Sequence, residues 1–265
     1  MATNPQSTHW NAEVYERIGT PMRRWAQAVI DDLHLRGDET VLDAGCGSGS
    51  VTFDLLERLP SGRIYAVDSS PEMISKITQA IKERGLTSVI PIRASLTDFA
   101  LPEQVDVVFS NAVLHWIPDD DALFGSLFRA TKPGGRFRAQ CGGGQNIAHL
   151  TAVTEAVERR EPYAEYLGMA EFRKYRTAEE ATAAMERAGW SEVRASLFDS
   201  PVRFDSQDEA ALYLRTIILQ RHVAALPEEH QAPFLQEVIA ETVHRFGEPF
   251  AADYVRLDLW ARRPF

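Results

Sequence analysis

Three glycines at alternate positions, Gly45, Gly47 and Gly49, follow Asp43 in the run VLDAGCGSG at 41–49. Glycines so spaced let a chain turn sharply and bring its backbone close to a ligand. The amides that open a helix have no partner inside it and attract an anion. An apolar lead-in, a glycine loop and a helix start together have the build of a nucleotide-type pocket. A dinucleotide site carries G-x-G-x-x-G. Here the third glycine comes one place early, and an acid stands two residues before the first. Asp43 would face the cradle, where it could hold an ammonium group directly or through water. That is out of place beside an anionic pyrophosphate, but it suits a zwitterionic amino-acid tail with its carboxylate on the helix amides. A second acid, Asp68, ends the run Ile64–Asp68, 23 residues past Gly45. At the C-terminal end of a strand its carboxylate can accept both ribose hydroxyls and would repel a 2′-phosphate. Ribose plus amino-acid tail describes S-adenosylmethionine.

His115 and Trp116 follow the fourth apolar run, at the carboxyl edge of the sheet, where ligands of open α/β sheets bind. His115 could donate to a carboxylate or take a proton from a hydroxyl or amine. Trp116 could supply an apolar wall or an indole donor. The plainer alternative is that His115 caps the next turn and Trp116 packs under a lid. Cys46 reads as a small filler beside the ligand rather than a reactive thiol. Asp119, Asp120 and Asp121 read as favourable charge at a helix N-terminus, and no metal is expected. His222, His230 and His244 share no helical spacing and read as surface or structural residues. The run Gly142-Gly143-Gly144 is either a plain loop or a floor that lets a substrate approach. Arg159, Arg160, Arg173, Lys174 and Arg176 read as a solvated face from which one cation could reach an anionic substrate.

Apolar runs at 41–44, 64–67, 89–92, 105–109 and 136–140 alternate with helical patterns, the signature of a doubly wound parallel sheet. Ser70 is placed to cap a helix with Pro71 at its first position, Ile74, Ile77 and Ile81 on one face, and Gly85 at its exit. A further helix starts at Asp119–Asp121, buries Leu123, Leu127 and Phe128, and stops at Lys132-Pro133-Gly134-Gly135. Ahead of the core, 23–33 sets Trp25, Ala28, Val29 and Leu33 at helical spacing. Segments 147–160 and 164–175 read as polar connecting helices. Thr177 and Glu180 form a capping box before Ala184, Met185 and Ala188. Strands are expected at 193–204 and 254–260, with a helical insert at 207–246 between them. Adjacent antiparallel strands need only a hairpin, so an insert of this length reads as a lid or binding wall.

The formal net charge of −10 argues against a nucleic-acid backbone as partner and favours a small molecule. No apolar run approaches the roughly 20 residues that span a bilayer, so no membrane partner is expected. The first residues lack the basic and apolar regions of a secretory signal. Two cysteines, Cys46 and Cys141, are too few for a disulfide framework or a zinc site and fit a reducing cytoplasm. A chain of 265 residues suits one large domain or a core with a modest cap. Its organisation reads as a helical lid over 1–37, a cofactor core over 38–145, connecting helices and a return to the sheet over 146–206, a substrate cap over 207–250 and a final strand over 251–265. Nothing in the sequence signals an oligomeric state.

Taken together, Asp43-x-Gly45-x-Gly47-x-Gly49, Asp68, Asn111-Ala112-Val113-Leu114-His115-Trp116 and Lys132-Pro133-Gly134-Gly135 resemble a class I S-adenosylmethionine-dependent methyltransferase over roughly 38–141. A weaker echo covers 189–204 and 254–264. Leu114-His115-Trp116 and the N-terminal Trp10-Asn11…Tyr15 are similar to the trans-aconitate and juvenile-hormone-acid methyltransferase group, which methylates small-molecule carboxyl oxygens. The resemblance implies a Rossmann-like, doubly wound α/β fold with a mostly parallel seven-stranded sheet, an antiparallel last strand and a helical cap. It implies an enzyme that uses S-adenosylmethionine, releases S-adenosylhomocysteine and methylates a small molecule, at a carboxylate or hydroxyl oxygen. The alternatives are a nitrogen or carbon acceptor, and a cofactor-binding module or non-methylating enzyme on the same fold. A nicotinamide dehydrogenase is disfavoured by Asp43 and the early glycine.

Carried over by position, Gly45, Cys46 and Gly47 would hold the methionine portion and Asp68 the ribose. Ser69 and Met73 would flank the adenosine, Ser95 and Leu96 would border the adenine, and Asn111 would lie beneath the methionine portion. Many members of the class place an acid at the Ser95 position. A neutral hydroxyl accepts more weakly, and Asp98 could take over. Tyr15, 147–175 and the insert at 207–246 would wall the acceptor, with His115 and Trp116 touching it.

Overall fold

The structure is a computed structural model that describes residues 12–168 and 173–265, with side chains of the first helix described from residue 21 onward. Trp10 and Asn11 lie outside the described residues, as does the side chain of Tyr15. In chain order the elements are α1 (Ala12–Asp32), β1 (Thr40–Ala44), α2 (Ser50–Leu56), β2 (Arg63–Asp68), α3 (Pro71–Arg84), β3 (Val89–Arg93), β4 (Val105–Asn111), α4 (Asp120–Ala130), β5 (Thr131–Gly142), α5 (Ala148–Glu158), α6 (Ala178–Arg187), β6 (Ser191–Asp199), β7 (Val202–Arg203), α7 (Gln207–Tyr213), α8 (Gln220–Ala225), α9 (Glu228–Phe246), β8 (Ala251–Ala252) and β9 (Val255–Arg262). They fall into two compact units. One comprises Trp25–Ile147, Ala170–Pro201 and Asp253–Phe265; the other comprises Met1–Arg24, Ala148–Met169 and Val202–Ala252.

The first unit holds a seven-stranded sheet of order β3-β2-β1-β4-β5-β9-β6. The five strands β1 to β5 pair in parallel, and β9 runs antiparallel to both β5 and β6. The antiparallel strand is last in the chain yet one place in from the sheet edge. Parallel strands with helices on both faces are buried on both sides, which is why β1 (TVLDA) is buried at every position. Successive residues point to opposite faces. Val41, Ile64 and Val107 pack with Val29, Ile30 and Leu33 of α1, whereas Leu42, Tyr65 and Val108 share a core with Leu123, Phe124 and Leu127 of α4 and Ala184 and Met185 of α6. Ser70 caps α3, its hydroxyl accepting from the Met73 amide at 3.3 Å, and Gly85 closes the helix at φ 64°. The Thr177–Glu180 capping box is formed at the start of α6.

Several local expectations are corrected. On α1 the buried stripe is Trp25, Ala26, Val29, Ile30 and Leu33, and Ala28 is exposed. On α4 Phe124 fills the core, and Phe128 is only half-buried. Lys132-Pro133-Gly134-Gly135 belongs to β5 as an irregularity, because Thr131 pairs with Val105 and Arg136 with Val107, and the surplus residues loop out between them. The expected strand at 193–204 breaks at Ser200-Pro201: β6 stays in the large sheet, and β7 pairs with β8 in a separate two-stranded sheet. The described part of 164–175 is not helical beyond a single turn at Tyr163–Glu165, and 173–176 has no regular secondary structure.

In the second unit the insert becomes α7, a π-helical turn at Leu214–Ile218, α8 and α9. α9 buries Phe234, Leu235, Val238 and Ile239, and α5 buries Leu150, Val153 and Val157. Polar anchors join these helices. The Tyr163 hydroxyl donates to Glu237 Oε1 at 2.7 Å, and His222 Nε2 lies 2.7 Å from Glu158 Oε1. Among the described residues no helix is long and apolar enough to cross a membrane.

Candidate active site

The carboxyl ends of β1, β2 and β4 bring the glycine loop, Asp68 and Asn111 together. β1 ends at Ala44, and the chain swings away at Gly45 with φ 86°. The Gly45 and Cys46 amides both donate to Val67 O, at 2.8 and 3.0 Å, which pins the loop to the end of β2. A side chain at Gly45 is sterically barred: a Cβ there would sit 2.4 Å from both methyls of Val113. Gly47 is the opposite case. A Cβ there would meet nothing within 4 Å, so this glycine marks the open side of the cradle. Gly49 then caps α2 in a left-handed conformation.

Asp43 is buried, with only 2 % of its surface exposed, and Oδ2 accepts from Thr52 Oγ1 at 2.6 Å. Burial raises its pKa to about 7; the Thr52 hydrogen bond opposes the shift and the Asp68 charge adds to it. Burial, with the Asp43 and Asp68 charges, pushes the Cys46 thiol well above its usual range. It packs with Phe53 and Ile77 as a small apolar residue. Asp68 is held by two backbone donors: Gly47 N–H reaches Oδ2 at 3.0 Å and Ser70 N–H reaches Oδ1 at 2.8 Å. The Gly47 amide is therefore taken by Asp68. An ionised carboxylate has about four acceptor sites, so Asp68 retains capacity for further donors. Among the described residues the buried Asn111 Oδ1 accepts no hydrogen bond. The next residue, Ala112, is strained at φ 59°, its amide bonded to Gln140 O at 2.8 Å.

The adenine-side candidates are more dispersed in character. Ser69 is exposed and Met73 half-buried at the start of α3. Ser95 is exposed, and its hydroxyl is paired with Thr97 Oγ1 at 2.7 Å, while the Leu96 side chain is buried in the α4-side core.

On the acceptor side, Leu114–Trp116 forms one 3-10 turn that directly follows Val113, the residue against Gly45. His115 is buried, and its Nδ1 makes no hydrogen bond among the described residues. Burial, then the charges of Arg256, Arg173 and Arg176, lower its pKa to about 3. The rings of Trp116 and Tyr175 lie 5.0 and 5.8 Å from it. Trp116 is 41 % exposed, with the Arg173 guanidinium 5.0 Å from its ring centre.

Arg176 is the residue that sequence reasoning misjudged. It is not on a solvated face: its side chain is 1 % exposed and donates to Leu114 O at 2.8 Å, Ile117 O at 2.6 Å and Asp120 Oδ1 at 2.7 Å. Arg256 on β9 was also missed; it is buried, with its guanidinium 4.3 Å from the centre of the Trp25 ring. Both lie outside every motif, and an isolated arginine in a sequence gives no sign of burial. The glycine run proves to be a packing requirement. Cβ atoms at Gly142 and Gly143 would come 2.7 Å from Asn146 Nδ2 and 2.5 Å from Leu257 Cβ. The three aspartates at the start of α4 separate by role: Asp119 caps the helix, Asp120 binds Arg176, and Asp121 pairs with Arg187.

Residues 41–135 match the family profile described as a methyltransferase domain. The match runs from β1 to the start of β5, about a third of the chain. A trans-aconitate 2-methyltransferase of Mycobacterium tuberculosis is 34% identical over 164 residues, covering 62% of this chain and 60% of the relative. The chain spans about half to three-fifths of the length of such curated relatives, 48% for the one from Azoarcus sp.. Among solved structures, the YcgJ protein of Bacillus superposes with a TM-score of 0.65 at 15% identity, covering 92% of this chain and 99% of that one. A geranyl diphosphate C-methyltransferase of Streptomyces coelicolor, solved with S-adenosyl-L-homocysteine, gives a TM-score of 0.58 at 17% identity, with 98% and 87% covered. At these identities the two structures share the fold of the methyltransferase domain.

Proposed function

We propose that this protein transfers the methyl group of S-adenosylmethionine to a carboxylate oxygen of a small organic acid. The observation that carries this reading is the setting of His115. A buried imidazole with an unbonded Nδ1 lies in the field of Arg256, Arg173 and Arg176, on a turn that reaches the glycine loop through Val113. Such a setting favours an anionic acceptor.

The donor pocket fits the cofactor on two counts. Asn111 Oδ1 is a buried acceptor without a donor, and Asp43 is a buried acid at the strand end; both suit an ammonium group. Asp68, oriented by the Gly47 and Ser70 amides, would receive the ribose hydroxyls. Gly45 and Cys46 would line the methionine portion, Ser69 and Met73 the adenosine, and Ser95 and Leu96 the adenine edge. When bound, the sulfonium cofactor supplies a methyl group already activated for displacement. The protein's task is then to align the acceptor oxygen at about 3 Å and exclude water.

A carboxylate needs no base. His115 fits that requirement, because a general base works best with a pKa near the operating pH, and this imidazole stays neutral far below it. A neutral imidazole has one N–H, which His115 would donate to the acceptor carboxylate. Trp116 would supply a neighbouring indole. The test is incubation with S-adenosylmethionine and a panel of mono-, di- and tricarboxylic acids, alcohols and amines, read by product mass and alkaline lability. Base-labile methyl esters from acids alone are expected. Methylation confined to nitrogen, carbon or alcohol oxygen would overturn the proposal.

A further inference from the structure

The turn carrying His115 has little internal structure to hold it. Its own bonds are Trp116 N–H to Val113 O at 2.9 Å and Ile117 N–H to Leu114 O at 3.2 Å. Further bonds reach it from a distant segment at 173–176 (Arg176 lies 62 residues past Leu114). Four carbonyls are held from that side. Leu114 O accepts from Arg176 Nη1 at 2.8 Å, and Ile117 O from Arg176 Nη2 at 2.6 Å. His115 O accepts from the Lys174 amide at 2.8 Å, and Pro118 O from Lys174 Nζ at 3.0 Å. The two cations share one carboxylate: Asp120 Oδ1 binds Arg176 Nε at 2.7 Å, and Oδ2 binds Lys174 Nζ at 2.8 Å. The alternate residues of the segment cover the rings, with Arg173 over Trp116 and Tyr175 beside His115.

We infer that segment 173–176 is the template that holds the His115 turn in its acceptor-binding shape, and that Arg176 is a positioning residue acting through the Leu114 and Ile117 carbonyls. The inference rests on the proposed acceptor role of His115. Arginine is suited to this because its planar fork fixes several donors in one plane, whereas a lysine ammonium is a single point of attachment. Asp120 neutralises both cations, of which Arg176 is buried and Lys174 partly exposed. Its own pKa is lowered even though burial alone would raise it, because the bonds to Lys174 and Arg176 outweigh burial. The carbonyl of Arg176 also accepts from the Gly144 amide at 2.9 Å, so the template ties the end of β5 to the same turn.

The test uses the full chain with Arg176→Lys, Arg176→Gln and Asp120→Asn. In each, the cofactor dissociation constant is measured by calorimetry, kcat and KM for a methylated acid are determined, and the His115 ring signal is followed by NMR in the ligand-free protein. Misplacing a reacting group by about 1 Å costs up to about a hundredfold. Arg176→Gln should therefore lower kcat/KM by roughly ten- to a hundredfold with cofactor affinity unchanged, and Arg176→Lys should recover part of the loss. The His115 signal should shift in all three variants. If Arg176→Gln does not fold, Asp120→Asn decides, since it removes only the shared carboxylate. Wild-type kcat/KM together with a wild-type His115 signal in the folded variants would overturn the inference. If the wild-type protein methylates no acid, the proposed function fails by itself, and the His115 signal still reports whether the template orders the turn.

Discussion

Replacing Asp43 with asparagine should separate the stability of the donor pocket from its function. The folded pKa of Asp43 is about 7 against an ordinary 3.8, a difference of about three units. At about 1.36 kcal/mol per unit, ionising this group in the ligand-free fold costs roughly 4 kcal/mol. Because the folded value lies above the unfolded one, the stabilisation is fully present below about pH 4 and is lost as pH rises through 7. Asparagine is neutral throughout and keeps an oxygen to accept from Thr52 Oγ1. Urea denaturation of both proteins without cofactor, from pH 5 to 8, should show Asp43→Asn gaining on the wild type by roughly 3 kcal/mol between pH 5 and 7 and little beyond that. A cofactor ammonium next to Asp43 would restore the charged form. Binding at pH 7 should then release about half a proton, detected as a buffer-dependent heat by calorimetry, and Asp43→Asn should show none and bind more weakly. A stability difference that stays constant across the range would refute the assigned burial cost. A buffer-independent heat with unaltered affinity would refute the ammonium contact.

Asp68→Ala removes the acceptor of the Gly47 and Ser70 amides and of the proposed ribose contact. Cofactor affinity should drop at least about tenfold by calorimetry, in line with hydrogen bonds to charged groups, and an unchanged constant would end the ribose assignment. His115→Ala should leave cofactor affinity intact and cut turnover on the accepted acid. Since His115 is neutral down to about pH 3, wild-type kcat/KM should show no ionisation from it near neutrality. An acidic limb near pH 6.5 that disappears in His115→Ala would contradict this. Gly45→Ala would drive a Cβ to within 2.4 Å of Val113 and should cost about 1–3 kcal/mol in urea denaturation. Adding Val113→Ala should return only the part due to the clash, because the strain of a side chain at φ 86° remains, and a single variant as stable as wild type would show the contact to be relaxed.

The parts of this protein that could be read from its sequence are those whose physics is local. A buried parallel strand must be apolar over consecutive residues, so β1, β2 and β4 could be located within one or two residues of their ends. The Ser70 cap, the Gly85 exit and the Thr177–Glu180 box depend on bonds three or four residues apart, and each was recoverable. The glycine loop was readable for the same reason: the constraint at Gly45 is a property of its own dihedrals, even though Val113 supplies the clash.

Where isolated polar residues end up, and what their surroundings do to them, is settled by contacts far apart in the chain. Arg176 lies in a run of cations that looks solvent-facing, and it is buried because Leu114 O, Ile117 O and Asp120 meet it from 56 to 62 residues away. His115 could be picked out as a candidate, but its neutral state depends on burial and on Arg256, Arg173 and Arg176, which come from distant segments. The break between β6 and β7 depends likewise on which partner strand is within reach, β9 or β8. Local sequence determines the conformations a segment favours over a few residues. Charge state and burial are set by the sum of distant neighbours, and those are assembled only when the chain folds.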